Sequence, residues 1–225
     1  MCAAGSGRRM GSGLAKQYLR LGPAPILVHT LNRLSASPSV EALVLAVPPG
    51  DVEAVRDGIV AAYEIPKVRA VVPGGEHRQD SVFNALGAVD PKTDIVMIHD
   101  GVRPFIGPEI VERCLKAAAV AGGAAAGIPV PETVKEVDAD GRVVATLRRE
   151  RIWIVQTPQA FRYQILLEAH RSAREEGFYA TDDAAVVERY GSVVLMVPGD
   201  PENIKITGPA DLAYARWLTR RWRGR

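Results

Sequence analysis

The chain has almost no cysteine, no long apolar run, almost no net charge and no Gly-Lys dipeptide, and each shortage closes off a class of function. Cys2 and Cys114 are its two cysteines, with no CxxC pair and no Cys/His cluster beside them. A disulfide framework or a structural zinc site is therefore not expected. No apolar stretch approaches the roughly twenty residues that cross a bilayer, and no signal peptide is visible. The expectation is a cytoplasmic protein with no membrane partner. The 28 basic and 26 acidic residues leave a formal charge of +2, too little for a general attraction to nucleic acid. Five arginines between Arg216 and Arg225 read as the solvated face of a terminal helix. Without a Gly-Lys dipeptide there is no Walker A loop. Internal repeats and low-complexity tracts are missing as well.

What is present is an ordinary globular composition, 47% hydrophobic and 24% charged, in 225 residues. That length suits one α/β domain and is short for two, so 1–225 is read as a single domain. Apolar runs alternate with amphipathic segments, the pattern of βαβ units on a mostly parallel sheet. The strands are predicted at Val40–Val47, Val68–Val72, Ile95–Ile98, Ala124–Val130 and Val193–Val197. The helices are predicted at Ile26–Leu34, Val52–Tyr63, Ser81–Val89, Glu109–Ala121, Tyr163–Glu176, Asp183–Tyr190 and Ala210–Trp222. The stretch at about 133–154 breaks the alternation. It turns at Asp138-Ala139-Asp140-Gly141 and carries Lys135, Arg142, Arg148, Arg149 and Arg151 with little apolar content. Such a hairpin is marginal alone, which predicts an arm laid against a second subunit.

The chemistry is concentrated first in residues 3–19, Ala3-Ala4-Gly5-Ser6-Gly7-Arg8-Arg9-Met10-Gly11 followed by Lys16-Gln17-Tyr18-Leu19. The glycines let backbone amides approach a ligand, while Arg8, Arg9 and Lys16 supply cationic donors. The spacing G-x-G-x-x-x-G is one residue longer than the dinucleotide fingerprint, which argues against a Rossmann dehydrogenase. A loop this cationic suits a triphosphate. Only Met1-Cys2-Ala3 precedes it, too short for a central strand, so residues upstream of Met1 are expected.

Further along, Gly74-Gly75-Glu76-His77-Arg78-Gln79-Asp80-Ser81-Val82 follows a strand. It reads either as a base- or sugar-reading loop or as an ordinary turn with Asp80 or Ser81 capping a helix. His99-Asp100-Gly101-Val102-Arg103-Pro104 sets a carboxylate at the end of a buried strand, where open α/β sheets bind ligands. There Asp100 suits Mg²⁺ and Arg103 suits a phosphate, and His99 reads as a packed histidine. Gln156-Thr157-Pro158-Gln159 joins the arm back to the domain. Thr181-Asp182-Asp183-Ala184 reads as a helix N-terminus with Thr181 or Asp182 as cap. Lys205, in the apolar run Asn203–Thr207, is costly unless it meets an anion, which points to a phosphate partner.

The motifs AAGSGRRMG, KQYL, GGEHRQDSV, HDGVRP, QTPQ, TDDA and NIKIT, in this order over nearly the whole chain, resemble the 2-C-methyl-D-erythritol 4-phosphate cytidylyltransferase family. The resemblance implies a Rossmann-like nucleotidyltransferase fold, Mg²⁺ as cofactor, and a homodimer built through an exchanged β-arm. It implies that Ala3, Ala4, Gly5, Gly7, Arg9 and Lys16 enclose the CTP triphosphate, and that Gly75 and Ser81 contact cytosine and ribose. It implies Asp100 beside the metal and the substrate hydroxyls, with Arg103 close by. Thr133 and Arg149, from the other subunit's arm, would bind methylerythritol phosphate, with Thr157 lining the same site. Lys205 would reach both phosphoryl groups. Arg9, Lys16, Arg149 and Lys205 would carry the catalysis of the attack on the α-phosphorus. Arg148 departs from the pattern, standing where relatives often carry an acid. The nearest competing readings are a ribitol 5-phosphate cytidylyltransferase and a catalytically silent nucleotide-binding dimer.

Overall fold

The computed structural model describes residues 1–5 and 15–222. Its main sheet is assembled from β3 (Leu43–Val47), β4 (Val68–Pro73), β5 (Ile95–Ile98), β6 (Gly123–Pro129), β9 (Trp153–Arg162) and β10 (Leu195–Pro198). Small antiparallel pairs stand apart, β1 (Arg20–Leu21) with β2 (Ala24–Pro25) and β7 (Lys135–Val137) with β8 (Val143–Thr146). β3 runs parallel to β4, β10 parallel to β6, and β9 antiparallel to both β5 and β6. The short segment Met1–Ala3 closes the gap between β3 and β5. Cys2 bridges in parallel to Ala46 and to Asp100, with Cys2 N donating to His99 O at 2.9 Å and Ala3 N to Ala46 O at 2.8 Å. The order is thus β4–β3–(1–3)–β5–β9–β6–β10, mostly parallel as predicted, with β9 running against its neighbours. β9 was not among the predicted strands.

Among the described residues the α-helices are α1 (Ile26–Ala36), α2 (Val52–Val55, continued by a π-turn at Arg56–Ala61), α3 (Arg78–Leu86), α4 (Pro108–Ala121), α5 (Tyr163–Glu175), α6 (Asp183–Arg189) and α7 (Pro209–Trp222). Strand side chains alternate between two cores, as the period of two demands. Ala124, Ala126 and Ala160 join Leu27, Leu31 and Ile110 on one face; Ala125 and Phe161 join Val82, Leu166 and Val186 on the other. α4 ends where Gly122 takes a φ of 93°, which a Cβ disfavours. α3 begins three residues earlier than predicted. His77 is its N-cap position, and Asp80, three residues on, is not the N-cap but completes a capping box by accepting from His77 N at 3.0 Å. α6 is capped by Asp182, which accepts from Ala185 N at 3.0 Å. Among the described residues no helix is long and apolar enough to cross a membrane.

Candidate functional site

Parallel strands emerge at one edge, so the segments after Ala3, Val47, Pro73, Ile98, Pro129 and Pro198 all leave on the same side. Ala4 adjoins Gly74 there, where an added Cβ would lie 2.4 Å from the Ala4 Cβ and 2.9 Å from Ser81 Oγ. Close backbone approach therefore requires glycine at 74. Gly75 N donates to Ser81 Oγ at 3.1 Å, and Ser81 Oγ donates to His77 O at 3.1 Å. Ser81 is buried, so its hydroxyl shapes the loop from beneath while Gly75 is half-buried at its surface. Gln17 is buried and donates to Ala3 O at 2.8 Å, tying the turn Lys16–Tyr18 to the first strand. Lys16 lies over Gly5, whose added Cβ would meet the lysine Cε at 4.0 Å, and near Asp211 at the start of α7.

Asp100 is the focus of the edge. Its backbone N donates to Thr157 Oγ1 at 3.0 Å, which puts Thr157 beneath the carboxylate, 4% exposed. Among the described residues three cations reach the carboxylate: Lys205 Nζ stands 2.9 Å from Oδ2, Arg103 Nε 3.5 Å from Oδ2, and Arg78 Nε 3.5 Å from Oδ1. Burial opposes ionisation of Asp100, but Lys205, Arg78 and Arg103 outweigh it and hold the carboxyl far below the usual carboxylate range. The lysine, expected to meet a phosphate, meets a carboxylate of the same chain in this structure. Arg103 is buried and donates from Nη1 to Asn203 O at 2.7 Å, so it ties the Lys205 segment to Asp100. Asn203 in turn donates to Thr157 O at 2.9 Å. That segment is an irregular connector, not a strand, with Ile206 N donating to Val102 O at 3.0 Å. His99 is fully buried beside Arg103 O, and burial depresses it to about 4, the packed histidine predicted.

The structure thus gathers Ala3, Ala4, Gly5, Lys16, Gly75, Ser81, Asp100, Arg103, Thr157 and Lys205 at one edge. Gly7 and Arg9 lie outside the described residues. Thr133 and Arg149 are on the arm, both exposed, and Arg149 bonds to Pro131 O at 2.8 Å and faces Glu150. Within one chain they do not join the Asp100 cluster. Two residues of the site were not assigned from sequence: Arg78, at the first position of α3, and Asp183, whose Oδ2 lies 2.7 Å from Arg78 Nη1. The signal was present in the GGEHRQDSV and TDDA runs, but sequence does not show that these two meet.

A Rossmann-like sheet with Lys205, Arg78 and Arg103 gathered on Asp100 at its carboxyl edge defines, together with its structural neighbours, an α/β nucleotidyltransferase. The solved 4-diphosphocytidyl-2C-methyl-D-erythritol synthase of Anaerococcus prevotii superposes with a TM-score of 0.87 at 30% identity, covering 97% of this chain and 93% of that one. A family model described as 2-C-methyl-D-erythritol 4-phosphate cytidylyltransferase matches residues 1–221. The enzyme of that name from Syntrophus aciditrophicus is 48% identical over 223 residues, 99% of this chain and 95% of the relative. Its namesake from Pelotomaculum thermopropionicum is 48% identical over 225 residues, 100% and 94% of the two chains. The chain belongs to the 2-C-methyl-D-erythritol 4-phosphate cytidylyltransferase family.

Proposed function

We propose that this chain transfers CMP from CTP to 2-C-methyl-D-erythritol 4-phosphate, as a Mg²⁺-dependent cytoplasmic homodimer of the isoprenoid precursor pathway. One observation carries the reading: Lys205, Arg78 and Arg103 converge on a buried Asp100 at the sheet edge where the Gly5–Lys16 segment begins. A phosphate oxygen of the acceptor attacks the α-phosphorus, and the bond to the β-phosphate bridging oxygen breaks, releasing pyrophosphate. Both reactants are anions, so the main demand is to align them and to offset charge on the phosphoryl oxygens. Ala3, Ala4 and Gly5 would cradle the triphosphate and Lys16 would neutralise it, the role also proposed for Gly7 and Arg9 outside the described residues, while Gly75 would face the nucleoside over the loop that Ser81 braces. Lys205 exchanges Asp100 for phosphoryl oxygen. Arg103 and Thr157 hold Asp100 in place.

Among the described residues no cluster of three or more His, Cys, Asp or Glu side chains is built to cage a metal. Asp100 does offer one ionised carboxylate, and Mg²⁺ is commonly held by one or two carboxylates plus substrate phosphates and water. The donor set therefore suits an ion that arrives with the nucleotide, with Asp100 as its protein ligand. Such an ion would supply charge neutralisation across the phosphates.

The arm supports the homodimer. Val137, Val143 and Val144 on it, with Ile154 and Val155 at its root, are exposed apolar residues on an otherwise polar excursion. Exchanged onto a partner, the arm would carry Thr133 and Arg149 to the acceptor phosphate. Pyrophosphate release with CTP and methylerythritol phosphate, against ribitol 5-phosphate as comparison, tests the activity; equal or faster release with the ribitol ester would overturn the substrate. Chelation should stop the reaction and Mg²⁺ should restore it. Mixing inactive Arg149→Ala and Lys205→Ala proteins tests the exchange, since a mixed dimer has one intact site. Random pairing should restore about a quarter of wild-type activity, and no restoration would place Arg149 in its own chain's site.

A further inference from the structure

The two oxygens of Asp100 are held in different ways. Oδ2 faces Lys205, whose side chain is 38% exposed, and Arg103. Oδ1 faces Arg78 Nε, and the same guanidinium turns its Nη1 onto Asp183 Oδ2 at 2.7 Å. Asp183 is fully buried and is fixed from two further sides. Its Oδ1 lies 3.2 Å from His170 Nε2 on α5, and its backbone N donates to Gln159 Oε1 on β9 at 3.1 Å. A connected row, His170–Asp183–Arg78–Asp100, therefore runs from α5 through α6 and α3 to the end of β5.

We infer that Arg78 is a positioning residue for the reaction: anchored on Asp183, it fixes the carboxylate plane of Asp100 so that Oδ2 alone is free to exchange partners when substrates enter. The inference rests on the roles proposed above for Asp100 and Lys205. Its physical basis is the planar guanidinium, which presents separate N–H edges to two carboxylates at once. An ammonium is a single point charge that can neutralise Asp183 but cannot hold both groups in a set geometry. The base-side loop does not depend on Arg78 in the same way, because Gly74 N bonds to Val47 O at 2.7 Å and Gly75 to Ser81. Loss of Arg78 should therefore disturb turnover more than nucleotide binding.

The test compares Arg78→Lys with the charge-neutral pair Arg78→Met/Asp183→Asn. In both, CTP affinity by calorimetry should stay within about threefold of wild type, while kcat falls at least about tenfold, the scale of a small misplacement of a reacting group. If Arg78 serves only to neutralise Asp183, either replacement restores kcat to near wild type, which would overturn the inference. A crystal structure of Arg78→Lys gives a readout independent of activity, in which the Asp100 carboxylate should be rotated from its wild-type plane. An unmoved carboxylate overturns the inference even if the wild-type enzyme prefers another substrate. Absence of turnover in the wild type with methylerythritol phosphate would instead count against the proposed reaction.

Discussion

Replacing Lys205 by alanine separates a catalytic contribution from a structural one, because the two have different magnitudes. Lys205 Nζ lies 2.9 Å from Asp100 Oδ2, but its side chain is 38% exposed, so solvent screens the pair. Asp100 is not left unpaired by the change, since Arg78 and Arg103 remain at 3.5 Å. The loss of stability should therefore be about 1 kcal/mol or less, about 2–4 °C in Tm for a chain of this size. Turnover should fall far more. Removing one preorganised donor to a developing phosphoryl charge costs about a hundredfold or more in kcat, equivalent to about 2.7 kcal/mol. Lys205→Arg, which keeps the charge on a longer and planar group, should fall between. Steady-state pyrophosphate release at saturating CTP and acceptor, paired with a thermal scan of the same samples, measures both. A loss in kcat below tenfold, or a Tm drop above about 10 °C, would refute the assignment of Lys205 to the reacting phosphates.

Gly74→Ala places a Cβ 2.4 Å from the Ala4 Cβ and 3.2 Å from Val47 O, neither able to give way. It should cost about 1–3 kcal/mol and weaken CTP binding, and a variant normal in both melting and nucleotide titration contradicts the packing described. Burial pushes the Cys114 thiol up to about 12. At pH 8 its thiolate is then about one part in ten thousand, so iodoacetamide should label Cys114 only after denaturation. Peptide mapping that finds rapid native labelling there would disprove it. Burial opposes ionisation of Asp183, but Arg78 and the bond to His170 prevail and depress its pKa. Its stabilisation is then complete above the unfolded carboxyl value of about 3.9 and fades as pH falls through the lower folded value. Asp183→Asn should be less stable than wild type at pH 7, with the gap closing below about pH 4; denaturant unfolding across that range would show a constant gap if the reasoning is wrong.

The sheet was legible wherever a strand is an apolar run, as at Leu43–Val47 and Ile95–Ile98. β9 was not, although it lies inside the sheet, paired with β5 and β6. Gln156, Thr157, Pro158 and Gln159 interrupt its apolar pattern, yet all four are buried. Their polar groups are met by other segments: Gln156 donates to Asp200 O, Thr157 accepts from Asp100 N, and Gln159 donates to Asp182 and accepts from Asp183 N. A register shift between Ala125 and Gly127 on β6 faces the same stretch. A hydrophobicity pattern registers only the side chain's own polarity, and here the partners are tens of residues away. The same separation hid Arg78, which fell in the loop before the predicted helix, and Asp183, which was read as helix-start chemistry. Asp100 and Lys205 were legible because each is a charge set against an apolar run, where desolvation demands a reason.

That demand also explains why the edge is built from charges at all. Buried ion pairs contribute little net stability, because desolvation of each ion offsets most of the attraction, and apolar residues of similar size often serve as well. Stability alone therefore does not account for Arg78, Arg103 and Lys205 around Asp100, with Asp183 behind them, in a chain whose net charge is only +2. A site that must receive two phosphate esters does account for them. The carboxylate holds the cations together, and in the proposed reaction Lys205, the most exposed of the three, would transfer from carboxylate to phosphate. In the proposed exchange half-buried Arg78 and buried Arg103 would stay on Asp100, which would preserve its geometry.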